Sequence, residues 1–572
     1  MLSPGPLSRH HAVLTGARLS EERVSECATC HSVATRGPRG WLGAALGEES
    51  FPSALCLRCH ELGAFAERPH SRDPQTLVVS AGDPPDAPPR TDKASRMNAT
   101  ALAPGCATCH QEHRGASFDL THMDDETCQV CHAVPFTSFA NGHPEFSAYP
   151  YARGAPIAFD HDTHRLEGFS KANNKKEDRA FECTGCHVLD EPGHAMGVRG
   201  FDQMCATCHA EQIAANDGVV VLSIPGFEVD ALEHIGEWPN EDETDLSSLT
   251  RLLLRGGASH AEASAEYWEL IEELDPLDLS DLEPEELAAV DAYAWDLKQL
   301  TADLARGGQM EFATRVSRAL GAAGANPALA AGQLPADTIG NARDAWFPNL
   351  TRELASRRAE IPVATVAEPP PLDEEFDSGL LDDRLLTGGW HRQDADMTLR
   401  YRPVRHEDEF MRTWLDVAAR EAYRDEDARA LLAELSARDA PGRCAKCHTI
   451  QSPNERPEGT AGPRTVGWRT RRGSADEHPA QRFSHAPHVR LLGGAQSGES
   501  SCTACHALVS AAATTSVGGN PDSRSLDFAP LRKQTCARCH NARGAGQSCL
   551  LCHNYHVGRF PAGGAPDLLA PD

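Results

Sequence analysis

The feature that most constrains this 572-residue chain is the placement of its 20 cysteines. All of them lie in Cys-x-x-Cys pairs, and a histidine directly follows the second cysteine of every pair. We number these ten Cys-x-x-Cys-His motifs 1 to 10 in chain order. Their cysteines are Cys27 and Cys30, Cys56 and Cys59, Cys106 and Cys109, Cys128 and Cys131, Cys183 and Cys186, Cys205 and Cys208, Cys444 and Cys447, Cys502 and Cys505, Cys536 and Cys539, and Cys549 and Cys552. Their histidines, in the same order, are His31, His60, His110, His132, His187, His209, His448, His506, His540 and His553.

This motif is the attachment signature of c-type haem, in which the two thiols bond to the porphyrin and the adjacent histidine binds the iron. Structural zinc sites also use Cys-x-x-Cys pairs, but a histidine directly after all ten pairs favours haem attachment over zinc binding. A disulfide framework does not require a histidine after every second cysteine, however, and a thioredoxin-like motif does not occur ten times in one chain. The sequence therefore predicts ten covalently attached haems c, with the ten motif histidines as proximal iron ligands.

Two other segments carry a family resemblance. The segment F-D-H-D-T-H, which ends at His164, precedes motif 5, and F-S-H-A-P-H, which ends at His488, precedes motif 8. An F-x-H-x-x-H segment followed by closely spaced Cys-x-x-Cys-His motifs resembles the small tri- and tetrahaem class III cytochromes and the larger multihaem cytochromes built from such units. The resemblance covers the two cysteine-rich regions only. It implies bis-histidine iron, electron transfer and distal iron ligands at His161, His164, His485 and His488.

The remaining histidines are numerous enough to supply a distal ligand to every iron. Of the 27 histidines, 17 lie outside the motifs. After residue 441 there are four such histidines for four motifs, and we expect each to be a distal ligand: His478, His485, His488 and His556. For the six earlier motifs we expect His11, His70, His113, His143, His161 and His164, with His10, His122 and His194 as alternatives. The other four, His234, His260, His391 and His406, we expect to be ordinary surface or core residues.

The net charge of −29 is concentrated in the segment without motifs. Residues 211–440 contain 48 acidic and 20 basic residues, a net charge of −28, whereas the rest of the chain sums to −1. An acidic chain is not suited to general binding of nucleic acid or anionic membranes, which requires basic surface. We therefore expect three parts: an N-terminal hexahaem region (1–209), an acidic haem-free domain (210–440) and a C-terminal tetrahaem region (441–572).

Hydrophobic periodicity predicts that the acidic segment is mostly helical. Leucine, valine and alanine recur at spacings of three and four after Pro284, until Gly307 and Gly308 end the run. A second helix is expected over 409–438, and 397–404 alternates as a short strand does. The haem regions should contain short helices and coil, because haem faces replace the apolar side chains of a core. The predicted fold class is therefore mainly α and coil.

These features predict an electron-transfer conduit of closely spaced bis-histidine haems, because no motif lacks its histidine and no iron is expected to be open. The alternatives are an oxidoreductase with one open haem iron, or a structural subunit of a cytochrome filament or a membrane respiratory complex. Expected partners are redox proteins or neighbouring cytochrome subunits, with the acidic segment docking a basic partner. Covalent haem attachment implies a periplasmic or extracellular protein, although no export signal and no membrane-spanning run is visible in the sequence.

Overall fold

The fold was obtained as a computed structural model. It describes residues 5–16, 29–31, 53–60, 105–129, 136–146, 157–169, 181–214, 217–232, 235–240, 245–257, 277–321, 336–361, 389–451, 462–468, 480–492, 499–509 and 528–557, with residues 39, 62, 68, 70, 149, 271 and 334. Helices and coil dominate these residues, as the sequence predicts, and the strands are few and short. No helix among them is long and apolar enough to span a bilayer.

The hydrophobic core lies in the acidic segment, whose described residues within 217–440 we call the central lobe. One cluster of buried apolar side chains runs from Val219 to Leu435. Among the described residues outside the lobe, the buried apolar side chains are Phe139 and Ile213, which remain 8% and 9% exposed. The lobe therefore has a conventional protein core, whereas the cysteine-rich regions bury little apolar surface of their own.

Six helices and one sheet build the lobe. The helices are Ser248–Arg255, Pro284–Leu320, Ala336–Trp346, Leu350–Arg358, Glu409–Glu421 and Glu426–Ser436. Thr398–Tyr401 is the central strand of an antiparallel sheet, with Val219–Ser223 and Trp390–Gln393 on either side of it. The strand expected from the alternating pattern in 397–404 is therefore present, and it pairs with a strand about 180 residues earlier in the chain.

Of the two helical predictions in the lobe, one is confirmed and the other needs correction. The helical run begins at Pro284 behind a capping box formed by Glu283 and Glu286 and is broken at the glycines, beyond which a second helical stretch reaches Leu320. Gly308 takes a left-handed φ of 51° at a kink, and Arg315 beyond the kink binds Asp303 before it at 2.8 Å, which holds the two halves together. The expected helix over 409–438 is two helices, because Asp425 caps a new one by accepting a hydrogen bond from the Ala428 amide.

The cysteine-rich regions consist of short elements. Their helices are Arg9–Gly16, Cys106–Cys109, Asp125–Gln129, His161–Thr163, Cys183–Cys186, Phe201–Met204, Ala206–Ala214, Cys444–Cys447, His485–Leu491, Glu499–Thr503 and Lys533–Ala537. Single helical turns of other types cover Ser53–Arg58, His164–Gly168, Pro441–Arg443 and Cys549–Leu551. Two small antiparallel ladders pair His187–Leu189 with Met196–Val198 and Ile450–Gln451 with Thr465–Val466.

The regions before and after the lobe are in contact with each other. The Ala158 amide donates to the Cys447 carbonyl at 2.7 Å, and the Leu531 amide donates to the Tyr149 carbonyl at 3.1 Å. The Cys549 amide donates to the Asp125 carboxylate at 2.8 Å. Segments that are far apart in sequence therefore lie side by side.

One buried ion pair in the lobe core gives a stability prediction. The Lys298 ammonium is fully buried and lies 2.7 Å from the Glu353 carboxylate, which is 4% exposed. Replacing Lys298 with methionine leaves the buried carboxylate without its cation, so we expect the free energy of unfolding of the lobe to fall by about 3–5 kcal/mol. Chemical denaturation followed by tryptophan fluorescence measures the change. Arg343→Met, which removes an exposed ion pair with Asp344, is the control and should cost about 1 kcal/mol or less; an equal effect of both variants contradicts the prediction.

Candidate haem-binding sites

The eight motifs that the structure describes in full share one local conformation. Cys106–Cys109, Cys183–Cys186 and Cys444–Cys447 each form a single helical turn. In motifs 2, 3 and 5 to 10 the backbone amide of the histidine donates to the carbonyl of the first cysteine. Residues three apart on a helical turn are neighbours on its surface. The turn therefore places the two thiols together, with the histidine directly after them.

Backbone carbonyls fix the rings of many histidines. The Nδ1 atom of motif residues His110, His448 and His540 donates to a carbonyl oxygen at 2.8–3.0 Å. The same arrangement occurs outside the motifs at His113, His143, His164, His485 and His488, at 2.7–2.9 Å. Because a carbonyl can only accept, the proton lies on Nδ1 and Nε2 keeps its lone pair. Histidines that bind metals are commonly oriented in this way.

Nine of the ten motif histidines face a second histidine at nearly the same distance. The ring centres are separated by 6.0–6.5 Å in every case. The pairs are His31 with His113, His60 with His11, His110 with His556, His187 with His161, His209 with His164, His448 with His406, His506 with His485, His540 with His488, and His553 with His143. The tenth motif histidine, His132, lies outside the described residues.

This distance fits two imidazoles on opposite sides of one metal ion. An imidazole nitrogen binds a metal at about 2 Å and lies about 1 Å from its ring centre, so two opposed rings have centres about 6 Å apart. Among the described residues, no group of three or more His, Cys, Asp or Glu side chains is arranged to hold a metal ion. Each pair would therefore supply two nitrogen ligands, and a haem would supply the remaining ligands of its iron. The residues present fit a haem.

Burial favours neutral forms of the motif side chains. It raises the pKa of the Cys444 thiol to about 11, and burial together with the neighbouring thiol of Cys552 raises that of Cys536 to about 11. Burial also lowers the pKa of His187, His448 and His506. Neutral imidazole is the form that binds a metal, and an environment that disfavours thiolate suits an uncharged thioether better than a zinc thiolate.

Eight of the ten predicted distal histidines face a motif histidine: His11, His113, His143, His161, His164, His485, His488 and His556. His478 lies outside the described residues. His70 lies beside Tyr555, and its Nδ1 atom donates to the Asn554 carbonyl at 3.0 Å. Of the alternatives, His122 is exposed next to Asp124, and the His194 carbonyl accepts from the His485 ring.

His406 differs from the sequence expectation. We expected an ordinary histidine of the acidic segment, but its ring lies opposite His448 of motif 7. The count of histidines after residue 441 did not identify His406 as a partner of motif 7, because four candidates already matched the four motifs there. In the structure the His556 ring lies opposite His110 of motif 3 and the His143 ring lies opposite His553 of motif 10, so the paired rings come from different regions. The available signal was position, since His406 is the nearest histidine before motif 7.

Neighbouring motifs are close enough for their side chains to affect one another's pKa. Burial and the thiols of Cys106 and Cys30 raise the pKa of Cys56 to about 11, which links motifs 1, 2 and 3. Burial and the thiols of Cys447 and Cys186 raise that of Cys205 to about 11, which links motifs 5, 6 and 7.

Further electrostatic effects between side chains link these two groups through motifs 8, 9 and 10. They link motif 10 to motifs 4 and 9, motif 9 to motif 8, and motif 8 to motif 5, in this order: Cys549 with Cys128, Cys552 with Cys536, Cys539 with Cys505, and His506 with His187. His556, three residues after motif 10, faces motif 3. The motifs therefore form one continuous series, 1-2-3-10-9-8-5-6-7, with motif 4 beside motif 10.

Comparison with protein-family models, with curated proteins and with solved structures found no match for this chain.

Proposed function

We propose that the chain is an exported decahaem c-type cytochrome that conducts electrons through closely spaced bis-histidine haems. The observation that supports this most strongly is the set of nine histidine pairs, each with one member in a Cys-x-x-Cys-His motif and ring centres 6.0–6.5 Å apart. We place the protein in the periplasm or outside the cell, where c-type haem is attached.

Haem, when bound, supplies a reversible one-electron iron couple. The paired histidines of the chain would hold each haem iron with two imidazoles, so electron exchange would occur with little change in coordination. Carbonyls that accept from Nδ1, such as Gly467 for His448 and Gly546 for His540, keep the rings in place and increase the basicity of Nε2. The chain thus provides rigid, saturated coordination, which suits electron transfer rather than substrate binding at iron.

The series of neighbouring motifs supports one path rather than two. His556, three residues after motif 10, lies opposite His110 of motif 3. Phe528 links motifs 5 and 8, because its ring packs against His506 of motif 8 and against His161, the histidine opposite motif 5. Because electron exchange weakens steeply with distance, adjacent motifs are the natural steps of the path. Its ends are motif 1 and motif 7, where we expect redox partner proteins or neighbouring cytochrome subunits to exchange electrons.

The test is a haem count combined with a ligand-binding spectrum. Protein exported from a host that attaches haem c should carry ten covalent haems by intact mass and by its alkaline pyridine spectrum. Carbon monoxide added to the dithionite-reduced protein should change the Soret band very little, because every iron has two strong ligands. Absence of covalent haem contradicts the proposal, and a carbon monoxide adduct in the unmodified protein favours an oxidoreductase with an open iron.

A further inference from the structure

The histidine that faces motif 7 belongs to the central lobe, not to a cysteine-rich region. His406 lies between the central strand of the lobe sheet, Thr398–Tyr401, and the helix Glu409–Glu421. Both of these elements contribute to the buried core of the lobe. The position of the His406 backbone is therefore set by the packing of the lobe.

One buried carboxylate fixes the loop that carries His406. Asp408 is 7% exposed and accepts hydrogen bonds from the Tyr401 hydroxyl at 2.9 Å, from the Val404 amide at 3.2 Å and from the Met411 amide at 3.1 Å. These three bonds tie the strand, the loop and the first turn of the helix to one side chain. Glu407, between His406 and Asp408, takes a left-handed φ of 62°, which turns the chain at this point.

The His406 ring is held between two partners from outside the lobe. Its centre lies 6.2 Å from that of His448, and the planes are inclined by 22°. It also stacks on Phe201 at 4.0 Å with an inclination of 7°, and Phe201 begins the helix that leads into motif 6. The ring is thus oriented by an aromatic contact, at the spacing that the eight other histidine pairs share.

The rest of motif 7 is also built on the lobe. Cys444, Val466 and Trp468 pack against the lobe core. The Trp468 indole donates to Asp416 at 2.8 Å, and the Arg464 amide donates to the Ala419 carbonyl at 3.0 Å. Since the neighbouring Gly467 carbonyl accepts from Nδ1 of His448, the proximal ring is also positioned through lobe contacts.

We propose that His406 is the distal iron ligand at motif 7, so that the acidic lobe is a structural part of the haem site at one end of the path. This rests on the proposed function, since it assigns a ligand to one of the ten haems. The lobe is then more than an insulating spacer, because it supplies a side chain to a haem site. A partner that reaches the motif 7 haem meets the acidic lobe beside it.

The experiment uses the full-length holoprotein and carbon monoxide as the probe. In His406→Ala, one haem in ten should form a carbon monoxide adduct on reduction, while the unmodified protein forms almost none. The control is His391→Ala, a half-buried histidine in the same sheet, which should behave as the unmodified protein does. Ten covalent haems with no carbon monoxide adduct in His406→Ala overturns the assignment but leaves the proposed function intact; absence of haem from the unmodified protein defeats the proposed function itself.

A second variant covers the case in which His406→Ala does not accumulate. In His406→Met, a thioether replaces the imidazole, and histidine–methionine coordination raises the reduction potential of a haem. We expect one haem to gain a sulfur-to-iron charge-transfer band and a higher potential, or to take up carbon monoxide if the sulfur does not reach the iron. A His406→Met spectrum and carbon monoxide response identical to those of the unmodified protein overturns the assignment.

Discussion

Chain produced without haem attachment should fold in its central lobe and nowhere else. In the described residues, the buried apolar cluster lies wholly within the lobe, and the cysteine-rich regions contribute only Phe139 and Ile213 as buried apolar side chains. A segment that buries so little apolar surface cannot offset the conformational entropy of folding. In the proposed cytochrome, the folding of these regions is therefore coupled to the attachment of haem.

Hydrogen exchange measured on the haem-free and the haem-loaded chain tests this prediction. Amides of the lobe helices Pro284–Leu320 and Glu409–Glu421 should be protected in both samples. Amides in 105–129, 136–146 and 528–557 should be protected only in the loaded protein, with protection in the haem-free chain falling to nearly that of an unfolded peptide. The lobe is the internal control. Native-like protection of 105–129 in the haem-free chain contradicts the prediction.

His143→Ala should open a haem site that lies 410 positions further along the chain, at His553 of motif 10. The two rings are 6.1 Å apart, and the His143 ring is held by its Nδ1 bond to the Pro144 carbonyl and by stacking on Phe139 at 4.5 Å. Removing the imidazole leaves one axial position empty. We expect one haem in ten to bind carbon monoxide and its reduction potential to shift by on the order of 0.1 V, since axial ligands tune potential over about 0.8 V.

The same variant should also interrupt the path, because motif 10 joins motifs 3 and 4 to motif 9. Spectroelectrochemical titration measures the shift of the reduction potential, and stopped-flow reduction measures the interruption of electron transfer at motif 10. His122→Ala is the matched control, since His122 lies in the same region but its side chain is 72% exposed. A carbon monoxide adduct of equal size in both variants, or in neither, contradicts the assignment of His143 to motif 10.

The sequence predicts the local arrangement of the motifs well, because that arrangement depends on residues that are close together in the chain. A Cys-x-x-Cys-His motif fixes three side chains within five residues, and the F-x-H-x-x-H segments place Phe159 against His164 and Phe483 against His488 by the same local geometry. The beginning of the long lobe helix at Pro284 and the strand at Thr398–Tyr401 also follow from local pattern.

Long-range pairing was not predictable in this way. The contacts of His143 with His553, of His556 with His110 and of His406 with His448 depend on how distant segments pack, and a count of histidines within each region cannot detect them. The second helical stretch beyond the break at Gly308 was not predicted either; its Phe312 is buried, and the Arg315–Asp303 ion pair joins it to the first stretch.

The most direct test of the proposed haem coordination is a density map of the haem-loaded protein that resolves iron–nitrogen bonds. We expect ten haems, with the Nε2 atoms of each of the nine histidine pairs bound to opposite faces of the same iron, including His406 with His448 and His143 with His553. Any of these nine irons bound to a different residue, or open on one face, would contradict it.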